Sequence, residues 1–311
     1  MSAGLRELVA DYLRVRRSLG YQLADNERIL SAFLDYLEAC SADTVTVEHA
    51  VGFATAAGGS PRRQALRLSA VRCFARWAHP QDPAVQVPPA RLLPARPTRS
   101  APYIYTESEV AALIDAASQL RPAIWAATFA ALVALMAATG IRTGEALGLN
   151  VTDLDQQEAT LTVTGKYGKV RMLPLHPTVL EGLAGYLAER DRLLPAPACP
   201  ALLVSPRGCR LLRQRVHATF RELARAAGLR ATSSASRPRL FDLRHTFAVS
   251  VMLDAYRSGA DPAAVLPVLA TWMGHADPND TYWYLTGTAE LPAAATQRLQ
   301  ARDTQPKGRR S

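Results

Sequence analysis

The chain lacks the features that mark several broad protein classes. It has four cysteines in 311 residues (Cys40, Cys73, Cys199 and Cys209) and no C-x-x-C pair. Neither a disulfide framework nor a zinc ribbon is expected, and the thiols read as core or incidental groups in a reducing compartment. No long apolar run is present either. The longest, Ile124 to Ala138, is too short to span a bilayer comfortably and reads as a core helix. The opening MSAGLRELVADYLRVRR breaks its apolar positions with charges every few residues, as an amphipathic helix does and a signal peptide does not. A cytoplasmic protein with no membrane partner is expected. Acids are the scarcer charge, 27 Asp and Glu against 36 Lys and Arg, for a net +9. That balance favours a polyanionic partner, nucleic acid first, although many arginine-rich chains are basic without one. No carboxylate cluster suggests a divalent metal, and no internal repeat is visible.

What is present divides into two parts. Residues 5–80 read as helices. Leu5, Leu8, Tyr12 and Leu13 mark the face of the first, and Ile29, Phe33, Leu34 and Leu37 mark the second. Thr46 is placed to cap a third, and Ser60-Pro61 to start a fourth. The fourth, PRRQALRLSAVRCFARWAH, carries Arg62, Arg63, Arg67, Arg72 and Arg76 without an acid, so a DNA-facing surface competes with a merely solvated one. Between Pro83 and Pro102 come six prolines, three arginines (Arg91, Arg96 and Arg99) and no acid, which excludes regular structure and suggests an extended basic linker. The expected division is a helical domain over 1–95, a linker over 96–103, a second domain over 104–300 and a polar basic tail over 301–311. In the second part, Thr106 to Glu109 forms a capping box ahead of a helix. A core helix ends at Thr139-Gly140. EATLTVTGKYGKVRMLPL (158–175) alternates on both sides of Gly165–Gly168 as a β-hairpin does. Helices follow near 177–194, 210–227 and 242–257, then a final helical region through Tyr284. The fold class is mostly α with a small antiparallel sheet.

Four segments carry possible chemistry: ATGIRTGEALGL (138–149), TGKYGKVRMLPL (164–175), RLFDLRHTFA (239–248) and MGHADPNDTYWYL (273–285). Each has an ordinary explanation by itself. Arg142 can cap a helix or pair with Glu145, Lys166 can be a turn lysine, Arg244 and His245 can be polar groups at a core edge, and Tyr284 can be buried in its aromatic run. Taken in order and spacing, however, they resemble the phage-integrase or tyrosine recombinase family. The T-G-x-R-x-x-E segment is Thr139 to Glu145. A hairpin lysine, Lys166, follows Arg142 by twenty-four residues, and Leu243-Arg244-His245 matches the later helix motif. Gly274-His275 is followed nine residues on by Tyr284. The resemblance covers residues 103–290, and the closing segment looks closest to recombinases encoded in tandem on transposon-like elements. One position departs from the pattern: the family's histidine at 241 is Phe241 here, a residue its neighbours are expected to pack around. His245, beside Arg244, is expected to point elsewhere on the helix and to be a poor substitute. The interval from Arg244 to His275 is also longer than usual, with Ser258–Leu269 the expected insertion.

The resemblance implies a two-domain clamp on double-stranded DNA bearing specific recombination sites. It implies strand exchange through a 3′-phosphotyrosyl intermediate by a homo-tetramer or a complex with sibling recombinases. Tyr284 is then the nucleophile, chosen over Tyr282 and Tyr256 by its distance from His275. Lys166 is the general acid, and Arg142, Arg244 and His275 stabilise the phosphate. These residue types suit the reaction. Charge builds on non-bridging oxygens as a phosphodiester is attacked, planar guanidiniums match those oxygens, and no metal or ATP is needed to exchange one diester for another. DNA contacts are expected at Arg62, Arg63, Arg67, Arg72, Arg96, Arg99 and Lys169. Two rivals stand beside this reading: a type IB topoisomerase-like enzyme, and a catalytically weak DNA-binding subunit, which Phe241 motivates.

Overall fold

The computed structural model describes residues 3–93, 101–165, 168–231 and 236–275, together with Leu291 and Thr296. Lys166, Tyr284, Arg96 and Arg99 lie outside the described residues, as do the region carrying Tyr282 and the basic tail. The chain divides into two compact units, Met1–Arg99 and Ser100–Ser311.

In the first unit four helices, α1 (Ala3–Ser18), α2 (Ala24–Ala39), α3 (Val47–Ala56) and α4 (Pro61–Ala78), enclose one core. The stripe on α1 is Leu5, Val9, Tyr12 and Leu13, with Leu8 only partly buried beside it. Tyr12 meets Phe74 of α4 edge-on at 5.8 Å, and Phe33 of α2 meets Phe53 of α3 at 5.1 Å. Both caps form as the sequence suggests: Thr46 accepts from the His49 amide at 3.1 Å, and Ser60 accepts from the Arg63 amide with Pro61 in the first turn. The proline-rich segment behaves differently from a free tether. Val85 is fully buried in this core, the Gln86 amide donates to Val45 O at 2.7 Å, and Val87 and Leu93 pack alongside. Prolines exclude a helix or an inner strand but leave their apolar neighbours free to dock. Among the cysteines, Cys40, Cys73 and Cys209 are exposed and Cys199 is half-buried, so they are incidental and not core thiols.

The second unit holds α5 (Glu107–Ser118), α6 (Ala123–Thr139), α7 (Thr143–Gly148), β1 (Leu154–Asp155), β2 (Thr160–Thr164), β3 (Val170–Pro174), α8 (Pro177–Leu193), α9 (Arg213–Ala226), α10 (Asp242–Arg257) and α11 (Pro262–Met273). Its start lies within the expected linker, because Tyr103 is buried in this unit's core and its hydroxyl donates to Glu109. The reciprocal Thr106–Glu109 capping box opens α5. Helix α6 is apolar all round and is the central element, packed against α5, α8 and α10. The strands form one antiparallel sheet in the order β1-β2-β3, with Thr164 opposite Val170 closing the hairpin. A smaller core joins α10 to α11 through Val249, Met252, Leu253, Leu266, Leu269 and Met273. The expected insertion, Ser258–Leu269, thus falls on the turn after α10 and most of α11. No described helix is long and apolar enough to cross a membrane.

Helix α6 ends at Gly140, which adopts φ +62°. A Cβ there would lie 2.4 Å from the Phe247 ring of α10. The turn needs glycine both for its left-handed backbone and for this close approach. Gly140→Ala is therefore expected to destabilise the second unit by about 2–4 kcal/mol, combining left-handed strain with overpacking. Urea unfolding measures this, and a loss below about 0.5 kcal/mol would mean that the α6–α10 contact yields freely.

Candidate active site

The site assembles where α6, α7, α10 and α11 come together. Arg142 stands at the N-terminus of α7, directly after the Gly140 turn. Its amide donates to Glu145 Oε2 at 2.9 Å, its Nη1 to Glu145 Oε1 at 2.9 Å, and its Nη2 to the Gly274 carbonyl at 3.1 Å. It therefore occupies the N-cap position of α7, without a side-chain bond to the helix amides, and pairs with Glu145, yet its side chain remains 31% exposed. Arg244, in the first turn of α10, is 0% exposed. Its Nη1 donates to Gly140 O and its Nη2 to Met273 O, both at 2.6 Å, and Nη2 also lies 2.9 Å from His275 Nε2. A guanidinium has no lone pair with which to accept, so His275 Nε2 accepts in this arrangement and its proton sits on Nδ1. The structure thus brings three of the five expected catalytic residues together.

Glu145 is 5% exposed and is held from two sides. Arg171 of β3 donates through Nη1 to Oε1 at 3.1 Å and through Nη2 to Oε2 at 2.8 Å. Burial acts to raise the Glu145 pKa. The hydrogen bonds from Arg171, the Arg142 amide and the Arg142 side chain outweigh it and hold the carboxyl below its ordinary value. Arg171 had no motif to announce it. The signal available was periodicity: β3 buries Leu173 and half-buries Arg171 on one face while Val170 and Met172 are exposed on the other, so an arginine occupies an inward position. The hairpin stem also reaches this region, because a Cβ on Gly165 would lie 3.4 Å from Glu145 Oε1. Gly165 immediately precedes Lys166, and its amide donates to Lys169 O at 2.7 Å. Among the described residues, no three His, Cys, Asp or Glu side chains gather as a metal site.

Comparison with known proteins settles the family. The model of the phage integrase family matches residues 104–290, more than half of the chain. The chain belongs to the phage integrase family. A putative integrase/recombinase, y4rB, of Sinorhizobium fredii is 39% identical over 96% of this chain and 97% of its own length. The tyrosine recombinase XerD of Neisseria meningitidis is 32% identical over 71% of each chain. Among solved structures, the Tn1549 transposon integrase with transposon right-end DNA superposes with a TM-score of 0.64 at 18% identity, covering 94% of this chain and 98% of that one. The XerH recombinase bound to its difH substrate gives 0.62 at 20% identity, covering 86% and 77%. At such identities the structures bear on the fold, which is that of the tyrosine recombinases. This member of the phage integrase family is accordingly a tyrosine-type site-specific recombinase.

Two expectations around Phe241 need correction. Phe241 is not packed in by its neighbours but is 38% exposed at the start of α10. Nor does His245 point away from it. One helical turn separates the two, and their rings meet edge-on at 5.1 Å. His245 itself is buried. In the first unit, Arg67 donates to Ala54 O and Gly58 O behind α3, and Arg72 donates to Pro88 O, so these two arginines hold backbone as well as charge. Arg62, Arg63 and Lys169 are exposed.

Burial, with the Arg239 and Arg244 cations adding to it, pushes the His245 imidazole down to about 4. The group is neutral when folded, whereas the unfolded chain takes up its proton near pH 6.5. Its contribution to stability is therefore intact above about pH 6.5 and is lost as the pH falls from there toward 4, up to about 3 kcal/mol in all. His245→Leu is expected to flatten that part of the stability profile, measured by urea unfolding between pH 4.5 and 7.5. Parallel profiles for the two proteins would contradict the assignment.

Proposed function

We propose that this recombinase cuts and rejoins double-stranded DNA through a covalent 3′-phosphotyrosyl bond at Tyr284, in the movement of a mobile DNA element. The observation that carries the reading is the convergence of Arg142, Arg244 and His275 at one end of α11, nine residues ahead of Tyr284. In the reaction, Tyr284 Oη gives up its proton to solvent and attacks phosphorus, the P–O5′ bond breaks, and Lys166 gives its proton to the departing 5′-oxygen. The two guanidiniums take up the charge that develops on the non-bridging oxygens. Neither needs to move far, since both are already fixed to backbone carbonyls. His275 adds a donor once its ring leaves the Arg244 contact and turns a protonated nitrogen to a phosphate oxygen. A partner strand's 5′-hydroxyl then reverses the step and frees Tyr284. One diester is exchanged for another throughout, so neither ATP nor a metal is required.

Net positive charge, the exposed arginines at the start of α4 and the DNA-bound relatives of like fold support duplex DNA carrying recombination sites as the substrate. Strand exchange makes four cuts, so four protomers act together, either alike or mixed with siblings. Two related putative recombinases in one Sinorhizobium fredii strain, 39% and 35% identical to this chain, support the mixed form. Such a reaction belongs in the cytoplasm. Phe241 favours a second reading, a subunit that binds DNA but cuts poorly, because a phenyl ring supplies no donor or proton.

Incubation with a nicked suicide substrate from the DNA flanking the gene separates these readings. Wild-type protein is expected to form a covalent protein–DNA adduct, and Tyr284→Phe to form none while binding DNA within about twofold of wild type. Adduct from Tyr284→Phe would move the nucleophile elsewhere. A wild type that binds its site but gives no adduct, even with a sibling present, would favour the binding subunit.

A further inference from the structure

Helix α11 ends on three successive carbonyls, those of Trp272, Met273 and Gly274, and each receives an arginine. Arg171 Nε donates to Trp272 O at 2.8 Å, Arg244 Nη2 to Met273 O at 2.6 Å and Arg142 Nη2 to Gly274 O at 3.1 Å. The last carbonyls of a helix have no partner within it and carry its negative end, so guanidiniums suit this position. Two of the three arginines are the phosphate ligands of the proposed reaction. The third is differently placed. Arg171 is 14% exposed, and its Nε and both Nη atoms donate to protein oxygens, two on Glu145 and one on Trp272.

We propose that Arg171 is a positioning residue for strand cleavage, which locks the end of α11 to the Glu145–Arg142 pair so that His275 and Arg142 meet the phosphate in register. The proposal rests on the recombinase reading. One planar group, carried on the strand of the Lys166 hairpin, ties together two other parts of the site: the helix that begins after Arg142 and the turn that leads to His275. That turn fits closely against it. Gly274 has φ +66°, and a Cβ there would lie 2.9 Å from Arg171 Nη1, so any larger residue would push the guanidinium off its carboxylate. A lysine at 171 would carry the charge but not the geometry, because an ammonium cannot present a two-pronged face to Glu145 and a third donor to Trp272. Losing the lock shifts groups that act in the transition state and leaves the DNA-binding surface alone. Such a shift lowers the rate at saturation and spares affinity.

The test measures single-turnover cleavage of the suicide substrate against DNA concentration for wild type, Arg171→Ala and Arg171→Lys, with amide hydrogen exchange at Trp272–His275 in the free proteins. Both variants are expected to cleave about 10²-fold more slowly at saturating DNA, the scale of a misplacement of about 1 Å, with half-saturation within about twofold of wild type. Methylguanidine is expected to restore part of the rate to Arg171→Ala, and methylammonium none. Exchange at Trp272–His275 should quicken in both variants. A wild-type rate in Arg171→Lys would overturn the proposal, since charge alone would then suffice. Weakened affinity at an unchanged saturating rate would also overturn it, by making Arg171 a DNA contact. Should Arg171→Ala fail to fold, Arg171→Lys carries the same test. Should wild-type protein form no adduct, the recombinase reading fails separately and hydrogen exchange decides alone: faster exchange in Arg171→Lys sustains the lock, and unchanged exchange refutes it.

Discussion

Two helices of the second unit end against each other, and the buried guanidinium of Arg244 fills the space between their last carbonyls. Helix α6 offers Gly140 O and α11 offers Met273 O, each 2.6 Å from the guanidinium. Both helices present the negative end of their dipoles there, so a cation with no solvent exposure finds a field that favours it. Removing a charge from water costs several kcal/mol unless its donors are met, and orphaned carbonyls at a buried helix end carry a similar penalty. Each need answers the other. The chain then has to leave both helices sharply, and Gly140 and Gly274 do so with φ near +60°. The Gly140 turn delivers Arg142, and the Gly274 turn delivers His275. The positions of Arg142, Arg244 and His275 thus follow from one buried charge and two left-handed glycines.

Crowding arginines has its own cost, and Glu145 offsets it. Arg142 and Arg171 both donate to its carboxylate, which bridges the two guanidiniums and offsets their charge. With two guanidiniums on one carboxylate, and Arg244 held by neutral carbonyls nearby, the cluster stays net cationic. Because these contacts are internal, the charge stands in place without a bound partner, which is the preorganisation that the proposed reaction calls for.

Much of this was legible in the sequence because it was local. Caps, the capping box, the hairpin alternation and the glycine after α6 are each written within a few residues. Arg142, Arg244 and His275 were legible by order and spacing. What escaped was set by packing across long stretches of chain. Arg171 is separated from Trp272 by about a hundred residues, and no short motif shows that a strand arginine faces a helix end. The prolines after α4 announced irregular backbone but not that Val85 and Val87 would dock on the helical core. His245 adjoins Arg244 in sequence, but the ring it meets is Phe241, one helical turn away.

Arg244 holds the site together as well as charging it, and urea unfolding of Arg244→Met measures how firmly. Methionine keeps much of the side chain's length and removes the donors. Left without them, the Gly140 and Met273 carbonyls should cost about 2–5 kcal/mol of stability. A variant as stable as wild type, or more so, would mean that the buried charge is a burden kept for catalysis alone, and that the two helix ends meet without it.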